Sequence, residues 1–248
     1  LREVERTYRH TFGYSLGYTR TDFQMKDSNN ADQANTVQLG VHNKYSVNGW
    51  NFRNDLLGRV SFHTNDRSMS WYDGTKSDMK SDYNVYGISS LNEVGKDFEI
   101  GRNVKLTPYT GLELGYMSHE GFEEDGGAEK LKVESNDAYS IKPSIGLRLE
   151  AEKKFGTNAD WKVKGNIGTA YEYELGDMNK QEKASLSTIE TGYHKLAQTA
   201  EDKGKIKTNG IIGLELKDRY GIFLTGEYGI GNDSREDYKV GVSFKASF

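Results

Sequence analysis

Apolar and polar residues alternate along most of this chain with a period of two. The plainest case is the last stretch, 237–248, reading DYKVGVSFKASF. Tyr238, Val240, Val242, Phe244, Ala246 and Phe248 fall on one face, and Lys239, Gly241, Ser243, Lys245 and Ser247 on the other. Successive side chains of a β-strand point to opposite faces, so this strand has one oily face and one polar or small one. Its length suits a tilted strand crossing a bilayer, which takes about 9–11 residues. The chain also ends on an aromatic residue still in phase with the oily face.

The same alternation predicts strands over 7–23, 36–47, 50–64, 104–118, 138–155, 161–175, 206–217 and 220–230. In 7–23, for example, Phe12, Tyr14, Leu16 and Tyr18 oppose Gly13, Ser15 and Gly17. Over 82–100 the phase breaks, with Val85 against Tyr86 and Ile88 against Leu91, and a bulge is expected. Residues 1–6 fit a helix end or a strand lead-in equally well. Connections alternate in kind. Tight turns are expected at Asn48-Gly49, 101–103, 156–160 and Asp218-Arg219; long polar loops at 26–35, 65–81, 119–137 and 176–205; and a modest one at 231–236. The longest loop has room for a short hairpin around 185–193. Barrels of the outer-membrane type have short turns at one end and long loops at the other. Aromatic residues near strand ends (Trp50, Tyr116, Trp161, Tyr171, Tyr173, Tyr220, Tyr238, Phe248) fit interfacial girdles. The expected fold is therefore all-β: a transmembrane antiparallel up-and-down β-barrel of about ten visible strands, whose backbone groups pair around a closed sheet. The competing soluble sandwich predicts a protein that dissolves without detergent.

Composition alters this picture little. The chain of 248 residues has 28 Gly, 16 Tyr, 2 Pro and no Cys. Its mean hydropathy of −0.79 and the lack of any apolar run near ~18 residues exclude a helical membrane protein, but not a barrel, whose alternation cancels in a window average. A formal charge of −4 gives no sign of a nucleic-acid partner. Absence of Cys fits passage through an oxidising compartment. The chain opens at Leu1 without Met or signal peptide, and is expected to be the mature C-terminal fragment of a longer protein.

Several segments, in this order, resemble the translocator β-domain of bacterial autotransporters, the type V secretion family: FGYSLGYTRTDF, KLTPYTGLELGYMSHEGFEE, SIGLRLEAEKKF, WKVKGNIGTAYEYELGD, NGIIGLELKDRYGIFLTGEYGIG and YKVGVSFKASF. The resemblance covers nearly the whole of 1–248, read as one translocator domain. It implies twelve strands where ten are visible, with the GYSLGY segment as the family's third. The first two strands and a plugging helix are expected upstream of Leu1, the alternative being that 176–205 supplies two more. It also implies an integral outer-membrane protein that anchors an N-terminal passenger and helps export it to the cell surface. Long loops would be extracellular; short turns and the C-terminus would be periplasmic. The implied partners are outer-membrane lipids, the barrel-assembly machinery and the chain's own passenger or linker segment in the lumen, with a monomer expected. The runner-up is a small outer-membrane porin or channel, which would share every periodicity.

Two sets of residues follow from this reading. Tyr238, Val240, Val242, Phe244 and Phe248 form the membrane-assembly signal that the resemblance implies. Arg59, Glu113, Arg148, Glu150, Lys164, Glu172, Glu215 and Glu227 fall on the polar phase and are expected to line the lumen, hydrating it or pairing with an enclosed segment or with each other. No catalytic, cofactor or metal site is expected, and no enzyme. The histidines at 10, 42, 63, 119 and 194 lack metal spacing, and no GxSxG, HExxH, P-loop or CxxC occurs. His119 with Glu120, Glu123, Glu124 and Asp125 reads as a solvated acidic loop rather than a protease rim, and no Ser–His pair shares a lipid-facing phase.

Overall fold

The structure, a computed structural model, describes residues 8–25, 30–156, 160–177, 182–188, 192–195, 203–217, 219–232 and 236–246. Ten long strands carry the architecture: β1 (Tyr8–Gln24), β2 (Ala31–Val47), β3 (Trp50–Ser70), β4 (Lys76–Lys96), β6 (Val104–His119), β10 (Asn136–Phe155), β11 (Trp161–Tyr173), β14 (Gly204–Leu216), β15 (Tyr220–Gly231) and β16 (Glu236–Ala246). Each pairs antiparallel with the next in an unbroken meander from β1 to β16. Among the described residues there are also six short strands: β5 (Phe98–Gly101), β7 (Phe122–Glu123), β8 (Asp125–Gly126), β9 (Leu131–Val133), β12 (Lys183–Leu186) and β13 (His194–Lys195).

The sheet curls on itself. Arg9 of β1 lines one 870 Å³ cavity together with Lys162 of β11 and Phe223 of β15. An adjoining 960 Å³ cavity is lined by Arg9 and Lys44 from one end of the sheet and by Asn209 and Ile211 from β14. Among the described residues, β1 and β16 are not paired with each other, so the curl is open along that seam.

Burial is inverted relative to a water-soluble domain. Among the described residues the buried apolar side chains are Ala34, Met79, Val133, Ala138, Ala170 and Ala184, far too little for a core. Large apolar side chains stand exposed on the convex face of every long strand: Leu16, Leu39, Leu56, Ile88, Leu114, Leu147, Ile167, Ile212, Leu224 and Val242 are one from each. A soluble monomer rarely exposes more than a few hundred Å² of contiguous apolar surface. Here the apolar positions run side by side across strands, as in the register row Ile212–Leu224–Val242. Aromatic residues bound this band. Phe155, Trp161 and Tyr220 share a row with Leu216 near the tight turns. Tyr116 faces Tyr139, and Tyr228 faces Tyr238, toward the long loops.

The tight turn between β2 and β3 shows why its residues are Asn and Gly. Val47 pairs with Trp50, leaving two loop residues, and both take positive φ, 51° at Asn48 and 77° at Gly49. That is the backbone a two-residue hairpin matched to the right-handed strand twist requires.

Four expectations are corrected. Residues 65–81 are mostly strand, not loop: β3 runs on to Ser70 and β4 starts at Lys76, with the turn at 71–75. This hairpin reaches past the apolar band into water, where neither face needs to be oily, so it carries no alternation to read. For the same reason residues 31–35 belong to β2. No bulge interrupts β4, whose pairing with β3 is continuous from Lys76 to Lys96; the shift lies at Glu99/Gly101 in β5. Tyr86 and Ile88 face outward, while Leu91 pairs with Asp55 and Glu113 on the concave face. The broken phase was two apolar residues, Val85 and Leu91, turned inward. Finally, the stretch 119–137 is partly ordered: its strands β7 and β9 join β12 and β13, the pair that matches the short hairpin expected around 185–193, in a four-stranded sheet. Residues 1–6, Asp218 and Phe248, which carried other expectations, lie outside the described residues.

Candidate functional site: the concave face and its cap

Charged residues occupy the concave face because strand register puts every second residue there. The eight side chains expected to line the interior all share that face, and most are neutralised locally. Lys142 stands directly opposite Glu113 at 3.1 Å. Glu172 meets Lys207 at 2.9 Å, and Glu227 its register partner Lys239 at 3.3 Å. Glu150 accepts a hydrogen bond from its neighbour Asn166 at 3.2 Å. Arg148 reaches across β6, its guanidinium 4.6 Å from the Tyr109 ring centroid, and binds Glu93 of β4 through two bonds of 2.9 Å. Arg59 extends over Gly87 to the Met117 sulfur at 3.6 Å.

Glu215 is the most enclosed of these, at 2% relative exposure. Lys164 lies 2.7 Å and Lys245 3.0 Å from its carboxylate, with Lys162 at 3.8 Å. Lys245 belongs to β16, two strands away, and reaches Glu215 across Gly221, the residue paired with both. A buried carboxylate needs such partners, since stranding it without them costs several kcal/mol.

The long-loop end carries a cap. Phe122 of β7 stacks on Tyr83 at 4.6 Å, and Tyr83 stacks in turn on His63 at 4.7 Å; both wall residues face inward. Arg67 holds Glu124 by two bonds of 2.8 and 2.6 Å and donates a third to the Glu129 carbonyl at 2.8 Å. Glu124 also accepts the Leu131 amide at 2.7 Å. Glu123 is bound by the Ser187 hydroxyl and by Lys130, and these donors hold its carboxyl below the usual value. Within the acidic stretch at 120–125, Glu120, Glu123 and Asp125 are exposed, as expected of a solvated loop, while the buried Glu124 is a structural clasp. Sequence reading missed it because the partners Arg67 and Ser187 are distant along the chain.

Of the expected assembly signal, Tyr238, Val240, Val242 and Phe244 stand exposed along the convex edge strand; Phe248 is outside the described residues.

A single curled antiparallel sheet with an apolar convex face and an ion-paired concave one is the build of a membrane β-barrel. A family model described as autotransporter beta-domain matches residues 2–227, and the chain belongs to that family. In fold it is similar to the translocator domain of the autotransporter NalP from Neisseria meningitidis. The TM-score is 0.64 at 13% identity, covering 96% of this chain and 76% of that one. The β-domain of the Bordetella autotransporter BrkA aligns with a TM-score of 0.58, also at 13% identity, over 97% of this chain and 92% of that one. No curated protein matches the sequence.

Proposed function

We propose that this chain is the outer-membrane translocator of an autotransporter, anchoring a passenger domain and helping it reach the cell surface. The observation that carries the reading is the inverted burial: leucine, valine and aromatic side chains face outward while Glu215, Arg148 and Glu172 face a shared interior. Such a ring is soluble only in lipid, and its interior can hold a hydrated peptide. Membership of the autotransporter β-domain family separates this reading from that of a porin.

Finer assignments belong to the same proposal. The capped end, with the 71–75 turn and the β12–β13 hairpin, faces the cell exterior; the Asn48-Gly49 turn faces the periplasm. The eight concave-face charges line the lumen and offer exchangeable partners to a threaded or resting segment. The outward row of β16, together with Phe248, is the signal read by the assembly machinery. The open edges of β1 and β16 are closed by strands contributed from a preceding segment. Ten strands leave β1 and β16 antiparallel to each other, so an even number of further strands fits between them.

The test is surface display of an epitope placed in the passenger of the full-length protein. Antibody should reach it on intact cells, and added protease should cut within 71–75 or 182–195 but not at Asn48-Gly49. Deleting Phe248 should lower both signals together. A folded barrel whose passenger epitope stays hidden would contradict the export reading, and cleavage at Asn48-Gly49 on intact cells would invert the orientation.

A further inference from the structure

Three concave-face residues near the β1 edge make contacts that the export role does not use. His42 of β2 stands in register with Gly13 of β1 and Asp55 of β3. Its Nε2 lies 2.9 Å from the Ser15 hydroxyl, and its Nδ1 lies 3.1 Å from Asp55 Oδ1. Asp55 is held from its other oxygen by Arg53 at 2.5 Å, and its side chain is 15% exposed against 45% for His42. With Nδ1–H donated to Asp55, Nε2 keeps its lone pair and accepts the Ser15 O–H. Hydroxyl, imidazole and carboxylate then stand in the order that activates a serine nucleophile.

The surroundings leave room for a substrate. A Cβ at Gly40 would sit 2.5 Å from the Ser15 oxygen and 3.1 Å from His42 Nε2, so only glycine lets the two side chains meet. A Cβ at Gly13, beside His42, would meet nothing within 4 Å, so the space above that position is open. Leu57 places a methyl 3.3 Å from the same Gly40 point, an apolar wall next to the nucleophile. Gln38, the next inward residue of β2, turns its carboxamide nitrogen to within 2.8 Å of the Gly17 Cβ position, two residues along β1 from Ser15.

We propose that Ser15, His42 and Asp55 hydrolyse short-chain acyl esters that enter the barrel interior. Ser15 Oγ bonds to the ester carbonyl carbon as His42 Nε2 takes the hydroxyl proton. The carbonyl becomes a tetrahedral oxyanion. Its collapse breaks the bond to the alcohol oxygen, which leaves with the proton from Nε2. Water then gives a proton to Nε2 and its oxygen to the acyl carbon; Ser15 departs and recovers the proton, releasing the carboxylic acid. The acyl chain lies on Leu57 and the alcohol group over Gly13. Esters rather than amides fit, because an alcohol leaves far more readily than an amine.

The test uses outer membranes carrying the full-length protein, treated with a fluorophosphonate probe and analysed by peptide mass spectrometry. The expected result is an adduct on Ser15. The same membranes should hydrolyse p-nitrophenyl butyrate in a Ser15-dependent way. Ser15→Ala should abolish both signals; His42→Asn and Asp55→Asn should each slow labelling of Ser15 by on the order of 100-fold or more. Ser144→Ala, on β10, should change neither, and heat-modified gel mobility confirms that each variant is folded. Absence of the Ser15 adduct from folded wild-type protein overturns the proposal whatever the variants do. Equal labelling of Ser15 in wild type and His42→Asn would also overturn it.

Discussion

Replacing Leu224 by Arg tests the outward face where the membrane is thickest. Leu224 lies four residues from Tyr220 and four from Tyr228, aromatic residues at the two ends of the band, and is 49% exposed. At ~3.4 Å per residue and a tilt of ~40°, each half spans roughly 10 Å along the membrane normal. The two halves give about 20 Å, close to the ~25 Å apolar band of such barrels, so Leu224 sits near the midplane. Its flanking residues in register, Ile212 and Val242, are also apolar and exposed, so no acidic group on that face can receive a guanidinium. Arg there should destabilise the barrel by about 2–4 kcal/mol. Thr225 is the next residue and points inward, two positions from Glu227 on the same face. Arg at 225 should cost under about 1 kcal/mol, since it stays hydrated on the polar concave face. Reversible urea titration of the full-length protein in phospholipid vesicles, followed by Trp fluorescence, measures both. Equal losses at 224 and 225, or the larger loss at 225, would refute the assignment of faces.

Further outcomes follow from the cap and the turns. Arg67→Ala strands Glu124, 3% exposed, beside the Leu131 amide; removing one partner of a buried pair costs about 3–5 kcal/mol, so hydrogen exchange at Leu131–Val133 should accelerate strongly, and unchanged protection would sink the clasp. The Glu123 carboxyl, whose ordinary value is 4.5, is lowered in the folded state first by the Ser187 hydroxyl and then by Lys130. A depressed carboxylate contributes stability above its unfolded value and loses it as pH falls through the folded one. Proteolysis of the cap should therefore increase below about pH 4.5, and Glu123→Gln should remove that dependence; a cap equally resistant at pH 3 and 7 would count against it. Gly49→Val forces a β-branched residue to φ 77° and should cost about 1–3 kcal/mol in the same vesicle titration, whereas Gly165→Ala, whose Cβ meets nothing within 4 Å, should be nearly silent.

The barrel strands were legible in the sequence wherever lipid lies on one side and water on the other. Residues such as Tyr14, Leu39, Ile145 and Val242 all announce their face by alternation. The signal fails once a strand leaves the bilayer, which is why 65–81 reads as loop although most of it is hairpin. It also fails when an inward position is apolar, as at Leu91. The charged interior was legible as a set, since inward phase follows from outward phase. Partner choice was not, because the Arg148–Glu93 and Lys245–Glu215 contacts skip a strand and depend on the sheet's curl and on small or flat residues between them. The Ser15–His42–Asp55 contacts and the Arg67–Glu124 clasp were invisible for a related reason: each needs register across neighbouring strands or a loop folded back onto the wall.

The central claim is that odd and even positions of the closing strands meet different solvents. The chain has no cysteine, so single spin labels can be placed one at a time along 222–228 and 238–244 in the protein reconstituted in bilayers. At 222, 224, 228, 240 and 242 the labels should relax with oxygen, which concentrates in lipid. At 223, 225, 227, 239 and 241 they should relax with a water-soluble nickel chelate. A clean period-two alternation between the two relaxants is the predicted result. Oxygen and nickel accessibilities that rise and fall together along both strands would contradict it.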